Sequence, residues 1–377
     1  MNNPSLYPSR RWPIAFAFLA VLCLVAGGAA AQSVEAFYKK GGFRMVVASG
    51  AGGGYDTYTR VLARHYGKHL PGHPNIVVQN MPGASGMLAT NWAYNSAPRD
   101  GSRILATYSA ILSAHLLGND KAKFNVRKFG AVGSIAKSQL LCVTWHTSPY
   151  KDIRKIVGKA MTVSATGRTG NSATLPLILN QLMGTRFKVI MGYSTSGSRL
   201  ALERGEVDGI CGLGLSTLRA SNPDWFTKKQ VNVIAQIGLT SLDELKGVPN
   251  PIDLVGPKER EVLEFNAILQ EMGRPYVAPP GVPADRMAAL RAAFDATMAD
   301  KAFAGELGKL KLELSPLTGP EMAKWLDKLY AYSPEVVARV GEILGVATKS
   351  KVDLCASVAK DTKQCAKKKK KKKKKKS

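Results

Sequence analysis

The sequence predicts an α/β protein built from two parallel-sheet lobes joined by a hinge. Three observations support this fold class: an export-type leader, two successive series in which β-like runs alternate with helical patterns, and a mostly helical last third of the 377-residue chain. Because parallel strands need crossover connections, usually helices, such alternation is typical of parallel α/β sheets.

The chain begins with a leader typical of secreted proteins. Arg10 and Arg11 precede an apolar run over residues 14–26, and small residues follow at positions 29–31. This order predicts a signal peptide over residues 1–31, cleaved near Ala31, and therefore a periplasmic protein. The apolar run is shorter than the ~18 residues that a membrane span needs.

The first α/β series begins at Phe43. The segments "FRMVVAS", "NIVVQN" and "RILATY" have the composition of short buried strands, whereas apolar residues from Tyr58 to Tyr66 recur at helical spacing. A second helix is predicted near residues 87–95. The order strand, helix, strand, helix, strand predicts a parallel sheet.

The second series begins near Gly130 and repeats the alternation. Strands are predicted at "GAVGSIA", "QLLCVTW", "MTVSATG", "FKVIMGY", "VDGICG" and "VNVIAQI", with helices across residues 175–183 and 198–204. After Pro249 the pattern becomes mostly helical, with an apolar helix face over residues 287–298.

The middle unit is predicted to be an insertion into the first. Lobe 1 is then discontinuous, residues 32–128 plus 252–345, and lobe 2 comprises residues 129–251. Residues 346–377 form a tail with a poly-lysine run, which self-repulsion predicts to be disordered. Two crossings between two lobes predict a hinge, and hinged lobes close around ligands.

Charge and cysteine content narrow the function classes. The chain has 53 Lys and Arg against 27 Asp and Glu, which favours small anionic ligands. Export and the absence of zinc-finger or aromatic RNA-binding signatures argue against nucleic acid. In an oxidising compartment Cys355 and Cys365 either pair or stay free, whereas Cys142 and Cys211, in apolar runs, are predicted to be buried small hydrophobes.

The segment "SGAGGGYDTYTR", residues 49–60, carries the main functional signal. A glycine-rich turn between a strand and a helix directs backbone N–H groups and the helix dipole at one point, where anions bind. A dinucleotide fingerprint needs a third glycine where Tyr55 stands, and a Walker loop needs a lysine and a hydroxyl where Tyr55 and Asp56 stand. A small carboxylate is therefore the predicted ligand, with a tight connection at positive φ as the structural alternative.

Six segments in order carry a resemblance to a known family: "GAGGGYDTYTR", "VVQNMPGASG", "RDGSRILA", "TGRTGNS", "MGYSTSGSRLALERGEVDG" and "GRPYVAPPGVPADRMAALRAAF". From about Phe43 to Arg339 the chain resembles the extracytoplasmic receptors of tripartite tricarboxylate transporters, the Bug-type receptors. The resemblance implies a two-lobed, type II-like periplasmic-binding-protein fold that captures a small organic anion and delivers it to a membrane permease. We expect a monomer that is not an enzyme and uses no cofactor or metal.

The resemblance also implies the ligand contacts. From the first lobe these are Gly52, Gly53, Gly54, Tyr55, Gly83, Ala84, Ser85 and Gly86. From the second lobe they are Thr166, Thr169, Asn171, Ser172, Tyr193, Ser194 and Ser196, with Asp208 used where the ligand is an amino acid.

Residue chemistry adds three candidates. A guanidinium beside a glycine turn holds a carboxylate in a bidentate grip, which makes Arg168 a predicted ligand contact. Tyr108 and Ser109 follow a predicted strand, at the end where α/β clefts open. Asp56 is expected to point away, because it would repel an anion.

The sequence leaves two other functions open. One is an exported α/β enzyme acting on an anionic substrate, using His65, His69 and His73, although Pro71-Gly72 ends the helix before the third and predicts surface or packing histidines instead. The other is a ligand-binding sensor without a permease. Ala51, Met81 and Tyr55 depart from the family pattern and leave the ligand's identity open.

Overall fold

The computed structural model describes residues 33–168 and 170–346. The predicted signal peptide, Thr169, the poly-lysine run and the pair Cys355 and Cys365 lie outside the described residues. In chain order the strands are Phe43–Val47 (β1), Ile76–Asn80 (β2), Arg103–Ala106 (β3), Gly130–Ser134 (β4), Leu140–Trp145 (β5), Ala160–Ala165 (β6), Arg186–Met191 (β7), Gly209–Gly214 (β8), Val231–Ile237 (β9), Pro275–Ala278 (β10) and Leu317–Thr318 (β11).

The helices alternate with these strands. They are Val34–Lys39 (α1), Gly54–Tyr66 (α2), Met87–Asn95 (α3), Asn171–Met183 (α4), Thr195–Glu203 (α5), Leu215–Ser221 (α6), Pro223–Thr227 (α7), Pro257–Glu271 (α8), Ala284–Met298 (α9), Lys301–Lys309 (α10), Gly319–Tyr330 (α11) and Pro334–Ile343 (α12). Short 3₁₀ turns, including Ala84–Gly86 and Ser109–Ser113, join several of them.

The strands form two mixed sheets. The first has the order β11-β4-β10-β3-β1-β2, and the second has the order β7-β6-β8-β5-β9. In the first sheet β1 runs parallel to β2 and β3, and in the second β6 runs parallel to β7 and β8. The predicted α/β fold class is confirmed. Strands β10 and β11 run antiparallel to the rest of the first sheet, and β5 runs antiparallel to the rest of the second.

Burial explains why the first unit folds as predicted. Three consecutive residues of β1, Met45, Val46 and Val47, are buried, as expected for a strand covered on both faces. The predicted helical apolar stripe is the buried face of α2, which includes Tyr58 and Tyr66. The helix predicted near residues 87–95 is α3.

Two stretches of chain connect the sheets. The first is residues 135–139, between β4 and β5, because β4 still pairs within the first sheet. The chain returns through residues 238–274, which include α8. Helix α8 packs on α4 and α12, and its Phe265 belongs to one buried cluster with Leu105 of the first sheet and Ile234 of the second.

The second sheet contains a disulfide that corrects a prediction. Cys142 of β5 and Cys211 of β8 are both buried, as expected, but they are bonded to each other rather than acting as free small hydrophobes. The two residues are register partners on adjacent antiparallel strands, which brings both side chains to the same face of the sheet. Their separation of 69 residues hides this pairing in the sequence.

Candidate functional site

A cavity of about 80 Å³ lies between the two α/β units. It sits at the carboxyl ends of strands from both sheets: Ser49 follows β1, Tyr108 follows β3, Thr166 follows β6 and Gly214 ends β8. We call it the head cavity. Carboxyl ends of strands are where open α/β sheets bind ligands, because the following helices begin there.

Three helices begin at the head cavity with a glycine N-cap. These N-caps are Gly53 before α2, Gly170 before α4 and Gly214 before α6, and none of them forms a side-chain capping bond. All three glycines line the cavity. Each helix therefore presents the positive end of its dipole to the same small volume, which is a favourable environment for an anion.

The three glycines of the first turn have three different physical roles. Gly52 has φ of +75°, a conformation that favours glycine. Gly53 has ordinary N-cap geometry, and a Cβ there would meet nothing closer than 3.6 Å. A Cβ on Gly54 would lie 2.4 Å from the Thr217 hydroxyl oxygen, so this glycine allows the second unit to approach.

Asp56 stabilises the glycine turn from behind. Its carboxylate accepts hydrogen bonds from the Gly52 N–H at 2.9 Å, from Arg60 at 3.0 Å and from Asn80 at 2.8 Å. These hydrogen bonds hold its pKa below the ordinary value, although its burial opposes them. Asp56 does not line the head cavity.

The second predicted turn, residues 83–86, has four consecutive residues with positive φ. Ala84 and Ser85 adopt φ of 46° and 52°, a region that costs non-glycine residues energy. The turn brings the Ser85 hydroxyl against the second unit, where a Cβ on Gly167 would lie 2.8 Å from it. Ser85 thereby forms part of the cavity wall between the two units.

Arg274, at the start of β10, is the cation of the head cavity. Its side chain is 4% exposed, donates to the Gly273 carbonyl at 2.9 Å and donates to the Thr217 hydroxyl at 3.0 Å. The guanidinium stacks on Tyr55 and Tyr58, 4.6 and 5.1 Å from the ring centroids. Its buried Nε has no hydrogen-bond partner among the described residues.

Two tyrosines hold the first-unit wall in place. The Tyr55 hydroxyl donates to the Gly273 carbonyl at 2.9 Å and accepts from the Ser109 N–H at 3.2 Å. Tyr108 packs edge-on against Tyr55, and burial raises the pKa of Tyr108 to about 12. The Tyr108 hydroxyl therefore stays protonated near neutral pH.

Hydroxyl and amide groups complete the wall on the second unit. The Ser172 hydroxyl accepts a hydrogen bond from the Thr166 N–H at 3.1 Å, which fixes the turn before α4. Asn171 donates to Gln270 at 3.3 Å, and its buried Oδ1 is left without a partner. No acidic side chain lines the head cavity within the described residues.

The structure brings eight of the predicted contact residues to the head cavity. They are Gly53, Gly54, Tyr55, Ser85, Tyr108, Thr166, Asn171 and Ser172. Ala84 and Arg168 line a neighbouring chamber instead. Thr169 lies outside the described residues.

The other predicted residues lie near the cavity without lining it. Gly86 packs against Tyr108, and Ser194 caps α5 by accepting from the Gly197 N–H at 2.9 Å. Asp208 accepts from both the Thr162 N–H and its hydroxyl at 2.7 Å, which engages its carboxylate within the second sheet. Gly52, Gly83, Ser109, Tyr193 and Ser196 are likewise absent from the lining.

Sequence reasoning missed several lining residues, above all Arg274 and Thr217. Thr217 follows the run "GICGLG", a second strand-to-helix junction rich in glycine that was a usable signal. Arg274 stands in the quoted motif "GRPYVAPP", yet the segment after Pro249 was predicted to be mostly helical. The missed element is β10, which inserts antiparallel between β3 and β4 and carries Arg274 to the cavity.

The histidines of α2 and the turn after it pair with carboxylates of the α10 region. His65 Nε2 lies 2.7 Å from Glu306, and His69 Nε2 lies 3.1 Å from Asp300. Among the described residues no group of three or more His, Cys, Asp or Glu side chains could hold a metal ion. Within the same ranges no helix is both long and apolar enough to cross a membrane.

No protein-family model matches the sequence. A curated relative, the UPF0065 protein from the TAR-I ttuE-ttuC' intergenic region of Agrobacterium vitis, is 26% identical over 231 residues. The match covers 59% of this chain and 64% of the relative, less than two thirds of the relative's length.

Solved structures share the fold. The periplasmic binding protein BugD gives a TM-score of 0.62 at 21% identity, over 81% of this chain and 97% of BugD. MatC from Rhodopseudomonas palustris, solved with bound malate, gives a TM-score of 0.60 at 20% identity, over 80% of this chain and 98% of MatC. The resemblance to Bug-type receptors is thus confirmed at the level of the fold, and BugD, a periplasmic binding protein, is in line with the prediction of a receptor rather than an enzyme.

Proposed function

From this similarity to Bug-type receptors, we propose that the chain is a periplasmic receptor that captures a small carboxylate in the head cavity. It closes its two lobes on the ligand and delivers it to the permease of a tripartite tricarboxylate transporter. The observation that carries the proposal is electrostatic. One buried guanidinium and three glycine-capped helix N-termini meet in a cavity whose described lining contains no carboxylate.

The head cavity offers a carboxylate contacts from both units. Arg274 and the first N–H groups of α2 belong to the first unit, and the first N–H groups of α4 belong to the second. In α6 the Leu215 N–H donates to the Gln139 carbonyl at 2.8 Å, so only the following N–H groups of its first turn are offered. A carboxylate that contacts both sides gains more in the closed form than in an open one. It therefore shifts the equilibrium toward closure, since a ligand acts only through its differential affinity for the two states.

The close contacts between the units define the closed form. Gly54 lies against Thr217, and Arg274 of the first unit donates to Thr217 of the second. At about 80 Å³ the head cavity is far smaller than the ~300 Å³ at the lower end of usual ligand sites. The site in this form holds a carboxylate group closely, and ligand entry requires the lobes to separate.

Thermal unfolding of the mature protein with a panel of anions tests the proposal. The panel contains mono-, di- and tricarboxylates, aromatic acids and amino acids. Matched amines serve as cationic controls and matched alcohols as uncharged controls. A ligand at about 100 times its Kd adds roughly 2.7 kcal/mol to the free energy of unfolding. Stabilisation by amines instead of carboxylates would contradict the proposal.

Arg274→Gln is the decisive variant. Losing one charge-assisted contact of about 1.5–3 kcal/mol weakens carboxylate binding roughly 10- to 150-fold. Arg286→Gln is the matched control, because Arg286 also stacks on a ring, Phe37 at 3.7 Å, and donates to a backbone carbonyl at 2.7 Å, but away from the head cavity. Calorimetric Kd values that rise equally in both variants would contradict a specific role for Arg274.

A further inference from the structure

A second, larger chamber of about 460 Å³ adjoins the head cavity. Its walls come from the first unit, the second unit and the helices that connect them. The apolar wall residues include Ala110, Leu117, Ile178, Phe265, Leu269 and Leu344. We call it the side chamber.

The two spaces share part of their lining. Ser85 and Thr166 line both the head cavity and the side chamber. Gly167, which also lines the chamber, lies so close that a Cβ on it would be 2.8 Å from the Ser85 hydroxyl oxygen. This contact between small residues therefore lies at the boundary between the head cavity and the side chamber.

The side chamber also contains polar groups without protein partners. The Thr174 hydroxyl and the Asn266 Oδ1 are buried and unbonded, and their side chains are 6% and 4% exposed. Buried polar atoms are normally satisfied, so each such atom calls for an explanation. Both residues line this chamber, where water or a polar substituent on the ligand body would supply the missing hydrogen bonds.

Arg168 lines the side chamber rather than the head cavity. Its guanidinium lies near the last turn of the described chain, where a Cβ on Gly345 would be 3.4 Å from its Nη1. Within the described residues no hydrogen bond or ion pair holds this side chain. Asp120 and Lys121 are the other charged residues of the described lining. A guanidinium can lie over an aromatic face, so Arg168 is compatible with an apolar ligand body.

We propose that the side chamber receives the apolar body of the ligand whose carboxylate occupies the head cavity. The substrate class is then amphipathic carboxylates, which have one anionic head and an aliphatic or aromatic body. This inference rests on the proposed carboxylate receptor function and specifies its substrate. The chamber volume lies within the range of about 300–1,000 Å³ usual for ligand sites, whereas the head cavity accommodates little beyond the head group.

A chain-length series tests the inference. Titration calorimetry of the full mature protein is carried out with propanoate, hexanoate, octanoate and decanoate, and with 3-phenylpropanoate. Each methylene that enters the chamber raises the affinity by up to about fourfold, so decanoate binds far more tightly than propanoate. Equal affinity across the series overturns the inference and leaves the receptor proposal intact.

Ala110→Leu is the filling variant. Ala110 is a half-buried chamber residue, and the larger side chain takes up space that the ligand body needs. The variant lowers decanoate affinity much more than propanoate affinity. Ala289→Leu, a half-buried alanine in α9 outside both cavities, is the matched control and leaves the chain-length dependence unchanged.

The outcomes separate the two proposals. Equal weakening of propanoate and decanoate by Ala110→Leu overturns the side-chamber inference, because the substitution then acts on the head group or the fold. If no carboxylate of any length binds to the wild-type protein, the receptor proposal itself fails and the inference fails with it.

Discussion

Helix N-termini at the head cavity differ from those at the periphery in their N-cap residue. Away from the cavity, Asp300, Thr318 and Ser333 cap α10, α11 and α12 with their own side chains. Three helices that begin at the cavity have glycine caps without such bonds, whereas α5, whose Thr195 also lines the cavity, is capped by the Ser194 side chain. The comparison indicates that the three side-chain caps satisfy amides internally, and that the three glycine caps leave amides open to the proposed ligand.

A glycine N-cap alone does not make a site. Gly256 precedes α8 without a side-chain bond, but that helix begins outside the head cavity, with Glu259 in its first turn. Replacing a Ser, Thr or Asp cap by glycine costs only a few tenths of a kcal/mol. Convergence of three such helices on one cation is therefore the informative feature, because the glycine caps alone cost the fold little.

Adding a charged cap to a helix at the cavity gives the largest expected change, which is a loss of carboxylate affinity. Gly53→Asp places a carboxylate on the α2 amides, and the space around Gly53 accepts a Cβ without a clash. We expect the free energy of unfolding to rise by a few tenths of a kcal/mol, because aspartate both caps the helix and complements its dipole. Carboxylate affinity falls by at least about tenfold, since the charge repels the ligand and occupies its donors.

The Gly53→Asn variant separates these causes. Asparagine caps the helix equally well without adding charge. It should weaken binding less than aspartate does, as measured by calorimetry. Wild-type affinity in Gly53→Asp would show that the α2 terminus does not meet the ligand.

Removing a side-chain cap at the periphery gives the intermediate change, which is a loss of folding stability. Thr318 forms a capping box with Glu321, whose carboxylate accepts from the Thr318 N–H at 2.8 Å. Thr318→Ala should lower the free energy of unfolding by about 1 kcal/mol in denaturant titration. The Kd for a carboxylate should stay unchanged. A change in Kd as large as that in Gly53→Asp would show that peripheral capped termini and glycine-capped cavity termini do not differ in their effect on binding.

Lowering the pH gives the smallest expected change in folding stability, at the charged group formed by Arg64, His65 and Glu306, which is remote from the cavity. Hydrogen bonds from Arg64, and then from His65, hold the pKa of Glu306 below its ordinary value of 4.5. A depressed carboxyl pKa stabilises the fold above the unfolded-state pKa, and this stability is lost as the pH falls below about 4.5 through the lower folded pKa.

For a pair this exposed the loss is about 0.2–1 kcal/mol. Denaturant titration at pH 6 and pH 3 should show a smaller stability difference in Glu306→Gln than in the wild type. An unchanged difference would assign the acid sensitivity to other carboxyl groups.

The sequence predicted the local elements better than the site. Strands such as β1 and helices such as α3 follow from short-range patterns of apolar residues, because burial on a parallel sheet imposes them locally. The glycine turn before α2 and the serine at position 85 were found through motifs that are also local. Eight predicted residues therefore line the head cavity.

The remaining features depend on contacts between distant segments. Gly273, beside Arg274, bonds to Tyr55 across 218 residues, and the contact exists only because β10 enters the first sheet antiparallel. Gly54 needs its lack of a side chain because Thr217 arrives from the other unit. No periodicity along the chain encodes such pairings, and the same holds for the bond between Cys142 and Cys211.

That disulfide links the function of the chain to the place where it folds. The bond closes a loop of 69 residues between the strand that leads into the second sheet and the strand that ends at α6. In an oxidising compartment the closed loop removes on the order of 4 kcal/mol of chain entropy from the unfolded state. The same polypeptide in a reducing compartment lacks that restraint, so the redox state of the compartment sets part of the stability of the second sheet.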